Sequence, residues 1–186
     1  MTEITTPRLI LRPVTLQDAP FIQENFAQDD ILRYLRPPVP YPVYPPGAAV
    51  VFLQNVVLPQ AAKGLNHTFL IQRKTDLAPM GCVGLTRDTE DSTEWSRGFW
   101  LAAAYRGDHV MEEASLAATR WLFTHTSATE LEVCNAVTNK ASARIKEKHG
   151  FLNDGFRTAT PPYHNGDTIE QIWLMSRECF FRLHGE

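Results

Sequence analysis

The feature that most narrows the choice of folds is a change of hydrophobic period inside Gly98–Trp121, GFWLAAAYRGDHVMEEASLAATRW. Phe99, Trp100 and Leu101 read as an extended, buried segment, whereas from Val110 onward the apolar residues recur at helical spacing, at Val110, Ala114, Ala117, Ala118 and Trp121. The switch falls at Tyr105-Arg106-Gly107-Asp108. A helix starting there turns its unpaired N–H groups and the positive end of its dipole toward whatever lies beyond the strand end, which suits an anion such as phosphate. A plain strand-turn-helix connection carries the same signature, so this stretch does not choose between the two alone.

The remaining sequence supplies strands and helices to pack around it. Arg8–Val14 reads as an edge strand ending near Pro13, and Thr15-Leu16-Gln17-Asp18 resembles a capping box that opens a first helix through Ala19, Ile22 and Phe26. A short helical piece follows through Ile31, Leu32, Tyr34 and Leu35. Residues 36–47 hold Pro37, Pro38, Pro40, Pro42, Pro45 and Pro46 with Tyr41 and Tyr44 between them, which specifies a stiff loop. That loop reads either as a surface connection or as the wall of a binding site. Residues 48–62 are apolar nearly all round and predict a well-buried helix, bent or ended at Pro59. Residues 68–73 and 80–86 predict an antiparallel hairpin; a strand over 94–102 precedes the helix that ends near His125. A strand at 130–137, a helix at 139–149 and closing strands at 151–159 and 168–176 complete the chain.

This order predicts one α/β (α+β) domain over residues 1–186, a mixed, strongly twisted sheet of about seven strands with helices on both faces, antiparallel first and with parallel crossovers in the middle. A length of 186 residues suits a single core. The net charge of −3 argues against nucleic acid or an anionic membrane as partner, and the absence of a signal-like start or long apolar run predicts a cytoplasmic protein. Cys82, Cys134 and Cys179 are odd in number and far apart, so a disulfide framework and a zinc knuckle are not expected; the histidines are scattered, and no metal is expected.

Two motifs together carry a family resemblance: YRGDHVMEEA at Tyr105–Ala114, and Asn139-Lys140-Ala141-Ser142 followed by Ile145, Lys148 and Gly150-Phe151. With the opening TPRLILRPVTLQDA and the closing EQIWLMSRECF, they resemble the GNAT family of acyl-CoA-dependent N-acetyltransferases, in particular its RimJ/RimL-like subgroup that acetylates ribosomal-protein N-termini. The resemblance covers essentially the whole chain and implies a GNAT fold. It further implies that acetyl-CoA is the co-substrate, with its pyrophosphate on the backbone of Arg106, Gly107, Asp108, His109, Val110 and Met111. Its pantetheine arm would pair with Trp100, Leu101 and Ala102, and Asn139 and Ser142 would face that arm and the thioester. Asn139 equally reads as a helix N-cap, and Ser142 as a solvated serine.

This sequence departs from the family pattern in two places. His109 stands where the family turn carries its second glycine, so either the turn shifts or the imidazole points to solvent. Ser96 stands where the subgroup carries a glutamate, with Glu94 two residues earlier on the same strand face. Acetyl transfer needs a neutral amine, an oxyanion donor and a proton for the departing thiolate. A backbone N–H near Leu101 is the expected oxyanion donor. Ser142 is the candidate proton donor, because Lys146 occupies the position where many GNAT enzymes carry a tyrosine acid. Glu94 acting through water is the nominated base, with Glu90, His164 and Glu170 as alternatives. Family geometry places Tyr34, the proline-rich loop, Tyr163 and His164 around a small-molecule or peptide amine acceptor, and the loop's aromatic, low-charge character suggests a neutral or extended acceptor more than a polycation. A monomer or homodimer is expected, and the alternative reading is a non-catalytic acyl-CoA-binding protein on the same fold.

Overall fold

Alternation along the central strands decides where the core must lie. On β3 (Asn66–Arg73), Phe69 and Ile71 join one apolar cluster and Leu70 another; on β4 (Pro79–Thr86), Val83 and Leu85 oppose Cys82 in the same way. A sheet that is apolar on both sides has to be covered on both. In the computed structural model, which describes residues 3–185, α5 (Val110–His125) covers the first face with Val110, Ala114, Ala118 and Leu122. The second face is covered by α1 (Ala19–Phe26), α3 (Ala48–Phe52) and the π-helical turn Leu53–Val57, through Ala19, Ile22, Ala49, Leu53 and Val57. Each large side chain buried this way contributes about 1.5–3 kcal/mol.

The sheet has eight strands in the order β1-β2-β3-β4-β5-β6-β8-β7. The others are β1 (Ile4–Thr5), β2 (Leu9–Pro13), β5 (Glu94–Leu101), β6 (Glu130–Ala136), β7 (Leu152–Thr158) and β8 (Ile169–Ser176). The strand beyond the expected seven is β1, two residues long and too short to leave a pattern; it pairs with Leu11 and Ile10. Among the described residues only β5 and β6 run parallel; all other neighbours are antiparallel. The mixed sheet with helices on both faces is therefore present, with one parallel pair at its centre.

Local chemistry explains several boundaries. The Asp18 carboxylate accepts the Thr15 amide (2.8 Å) and hydroxyl (3.1 Å), so aspartate fills the reciprocal capping role ahead of α1. Arg12 pairs with the same carboxylate (2.6 Å) and ties β2 to that turn. Residues 48–62 depart from expectation twice. Val50, Val51 and Phe52 are 40, 57 and 49% exposed, so the helical stretch is buried along one stripe only. Pro59 does not end it: the π turn at Leu53–Val57 shifts the hydrogen-bond register first, and Pro59 falls in the first turn of α4 (Leu58–Ala62), where a missing N–H costs nothing. A closing helix, α7 (Arg177–His184), was not legible; Ser176 caps it by accepting the Cys179 amide (3.2 Å), and its Phe180 joins the first core.

Candidate active site

The ladder between β5 and β6 holds for only two pairs, Glu94 with Glu130 and Trp95 with Leu131, and then the strands part. The result is a V-shaped gap at the one parallel seam of the sheet, with backbone groups on both inner edges that have no neighbouring strand. On β5 the Ala102 amide reaches away from the gap to Met80 O (2.9 Å), so by alternation the Leu101 and Phe99 peptide groups face into it. Gly81 lets β4 lie close along the far side of this strand end, since a Cβ there would fall 2.3 Å from the Trp100 carbonyl oxygen. The Leu101 carbonyl is taken by Arg106, through Nε and Nη2 at 3.0 Å each, and the same guanidinium pairs with Asp30 of α2 (Asp29–Leu32).

Beyond that end lies the turn into α5. Gly107 (φ 87°) and His109 (φ 55°) are both left-handed, and none of the amides from Gly107 to Glu112 donates a hydrogen bond among the described residues. Alternating backbone handedness at a helix N-terminus makes a concave set of free donors, the arrangement that holds phosphates. His109 takes the conformation of the customary glycine and turns its ring outward: Nδ1 lies 2.9 Å from Glu112 Oε2, and the side chain is 66% exposed. The Asp108 carboxylate is answered by Arg8 (3.1 Å), which also holds Glu113 (2.6 Å). Of the residues expected to bind pyrophosphate, Arg106 is placed differently. Its amide is directed to Ala103 O (3.3 Å) and its side chain back to Leu101.

Opposite the turn, α6 (Lys140–Lys148) begins at the end of β6 and flanks the gap. Asn139 is its N-cap, accepting the Ser142 amide (3.2 Å), so this side chain is engaged in holding the helix start. Ser142 Oγ accepts from Lys146 Nζ (2.8 Å), one helical turn on. Lys146 is 1% exposed and also donates to Asn135 Oδ1 (2.7 Å) and Cys134 O (3.2 Å). Burial, reinforced by the charge of Arg97, pushes its ammonium down to about 7. Sequence reading registered Lys146 only as a missing tyrosine, although the spacing of Ala143, Lys146 and His149 already set it on the buried stripe.

The second face carries the residues expected around an acceptor, and the structure brings them together. Tyr34 packs on Tyr163 with Ala136 and Ala159. The His164 and Asn165 amides donate to Leu35 O and Arg33 O (2.9 Å each), His164 Nε2 donates to Val39 O (2.8 Å), and its ring stacks on Tyr41 at 4.9 Å. Beneath this clasp lies Glu170, 1% exposed, accepting from Tyr163 Oη (2.8 Å) and pairing with Arg157 (2.6 Å) and Arg36 (3.2 Å). Burial alone would raise the Glu170 carboxyl, but Arg157, Tyr163 and Arg36 hold it below the usual range. The clasp is therefore charged within, where the aromatic, low-charge proline-rich loop suggests a neutral or extended acceptor, and Arg36 and Arg157 were not foreseen. Glu94 is exposed at the closed end of the V, about 20 Å along the strand from Trp100 at ~3.3 Å per residue. It cannot serve the same acetyl group as a donor at Leu101.

Comparisons with known proteins agree with this geometry. Of the solved structures, RimL, the ribosomal L7/L12 alpha-N-protein acetyltransferase in complex with coenzyme A, superposes with a TM-score of 0.84 at 14% identity, covering 96% of this chain and 99% of that one. The ribosomal-protein-S5-alanine acetyltransferase from Vibrio fischeri gives 0.82 at 15% identity, over 97% and 99%. The microcin C7 self immunity acetyltransferase MccE, in complex with acetyl-CoA and AMP, gives 0.78 at 16% identity, over 92% and 93%. At these identities the likeness is one of fold. Comparison with curated proteins finds no significant match. A family model described as Acetyltransferase (GNAT) domain matches residues 8–152, a span that takes in the turn at Gly107, the parted strands and α6, and the chain belongs to that family.

Proposed function

We propose that this protein transfers an acetyl group from acetyl-CoA to a primary amine by direct attack in a ternary complex. The observation that carries the reading is the early end of the β5–β6 ladder, which leaves backbone donors along a gap that runs into the free amides of Gly107 to Glu112. Those amides suit the pyrophosphate, and the inner edge of β5 at Phe99 and Leu101 suits an amide-bearing arm. A thioester at the end of that arm supplies an acyl carbon open to attack. A Leu101 or Phe99 N–H aimed into the gap stabilises the oxyanion, fixed in place before the reaction begins. Ser142, in the first turn of α6, is the group we assign to protonate the departing thiolate. The amine arrives from the second face, under the clasp of Tyr34 and Tyr163, and attacks as the neutral base.

The acceptor is a protein or peptide N-terminus or a small amine. RimL and the S5 enzyme are named for ribosomal-protein acceptors, which puts N-terminal peptides first in the panel to be tried. None of the helices in the described residues is long and apolar enough to cross a membrane. Thiol release from acetyl-CoA across N-terminal peptides and small amines tests the reading. Turnover with at least one acceptor, lowered about 100-fold by Ser142→Ala, is the expected result. CoA binding with no turnover on any amine would instead make this a coenzyme-binding protein on a transferase fold.

A further inference from the structure

Two buried cations, Lys146 against β6 and Arg97 between β5 and α5, lie near the parted strands, and among the described residues neither is paired with a carboxylate. Lys146 Nζ uses its three protons on Ser142 Oγ, Asn135 Oδ1 and Cys134 O, all neutral partners. Asn135 Oδ1 is shared with the Trp173 indole of β8 (2.9 Å), and burial raises the Cys134 thiol, which keeps it protonated. From β5 comes Arg97, 5% exposed, its guanidinium over the Phe99 and Phe151 rings and bonded to α5 at Thr119 Oγ1 (2.6 Å) and Ser115 O (3.2 Å). Its Nε and Nη2 have no hydrogen-bond partner among the described residues. His149, the C-cap of α6, is neutral, since burial pushes it down to about 4. Stability alone does not account for such a pair, because buried like charges cost free energy unless negative charge is to be received.

We propose that Lys146 is the proton source for the departing thiolate, acting through Ser142 Oγ, while Arg97 supplies the fixed positive charge beside it. The proposal rests on the acetyl-transfer reading above. As the acceptor nitrogen bonds to the acyl carbon and the C–S bond breaks, the electron pair stays on sulfur. The Ser142 hydroxyl proton moves to sulfur and gives free CoA thiol. Lys146 replaces the proton on Oγ and is left as a neutral amine. The proton shed by the acceptor nitrogen goes to water, and Lys146 is recharged from water once product leaves. A serine hydroxyl is a poor acid by itself; an ammonium whose charged form is destabilised by burial and by Arg97 gives its proton up near neutral pH.

Three readouts separate this role from a structural one. The rate of acetyl transfer in wild type should fall on the alkaline side with a midpoint near 7, and Lys146→Met and Lys146→Arg should both be slowed about 100-fold, with little change in KM for acetyl-CoA. Arginine keeps the charge but cannot release a proton, so rescue by Lys146→Arg would overturn the proposal. Carbon-13 NMR of labelled lysine in the free wild-type protein should show one side chain titrating near 7, absent from both variants; titration of every lysine near the ordinary value would overturn it without any variant. Bound CoA should form its thiolate, read by ultraviolet absorbance, at lower pH in wild type than in Lys146→Met. Wild-type turnover that Lys146→Met leaves unchanged would sink this proposal alone, whereas wild-type CoA binding with no turnover would sink the transferase reading with it.

Discussion

The two faces of the V are built from different material. On the α5 side the donors are backbone: amides of Gly107 to Glu112 left free by a helix start, and strand-edge amides left free by a ladder that stops. On the acceptor side the work is done by side chains from distant segments, with Arg36, Tyr163, Glu170 and Arg157 meeting beneath Tyr34 and His164. The first surface binds whatever carries phosphate and amide groups and tolerates changes of side chain. The second is specific, and a single truncation can dismantle it.

The largest expected effect follows from that contrast. Glu170→Ala leaves Arg157 and Tyr163 without their buried partner; allowing for the water that reaches the arginine ends, it should destabilise the fold by about 2–3 kcal/mol. A drop in Tm of roughly 4–12 °C is expected for a chain of this size. Because the native pKa of Glu170 is lowered, its contribution is complete above the unfolded value of about 4.3 and is lost as pH falls through the lower native value. Denaturant melts of wild type and Glu170→Gln should therefore differ most near neutral pH and converge in acid. A variant as stable as wild type at neutral pH would break the comparison.

On the backbone-built side only a change of backbone preference should matter. A Cβ on Gly107 meets nothing within 4 Å, yet its φ of 87° is costly for alanine. Gly107→Ala should cost about 1–2 kcal/mol. It should weaken CoA binding about 10-fold by calorimetry as the turn shifts. The smallest effect is expected at His109, already left-handed with its ring turned to Glu112. For His109→Gly, relief of strain and the added freedom of the unfolded chain nearly cancel, so stability should change by less than about 1 kcal/mol and CoA affinity should hold or improve. A large loss of affinity in His109→Gly would show that the imidazole itself contacts the ligand.

The same contrast decides what could be read from the residues. The period switch at Tyr105–Val110 is local, and it placed β5, the turn and α5 to within a residue or so. The Thr15–Asp18 box likewise needed only four consecutive residues. Apart from α7, what was missed is non-local or too short to leave a pattern. Nothing near Arg36 in sequence announces Glu170, and β1 is held only by its pairing with Leu11 and Ile10. Nor did the apolar run at Val50–Phe52 disclose that three of its side chains face solvent. Glu94 lay on the anticipated strand and face, but strand parity carries no information on distance along the V, and that distance separates it from Leu101.

A crystal structure with CoA bound tests the central claim most directly. The account predicts phosphate oxygens on the amides between Gly107 and Glu112, the pantetheine arm along Phe99 and Leu101, and the sulfur beside Ser142 with Lys146 behind it. Coenzyme bound elsewhere, with the gap between β5 and β6 unentered, would contradict it.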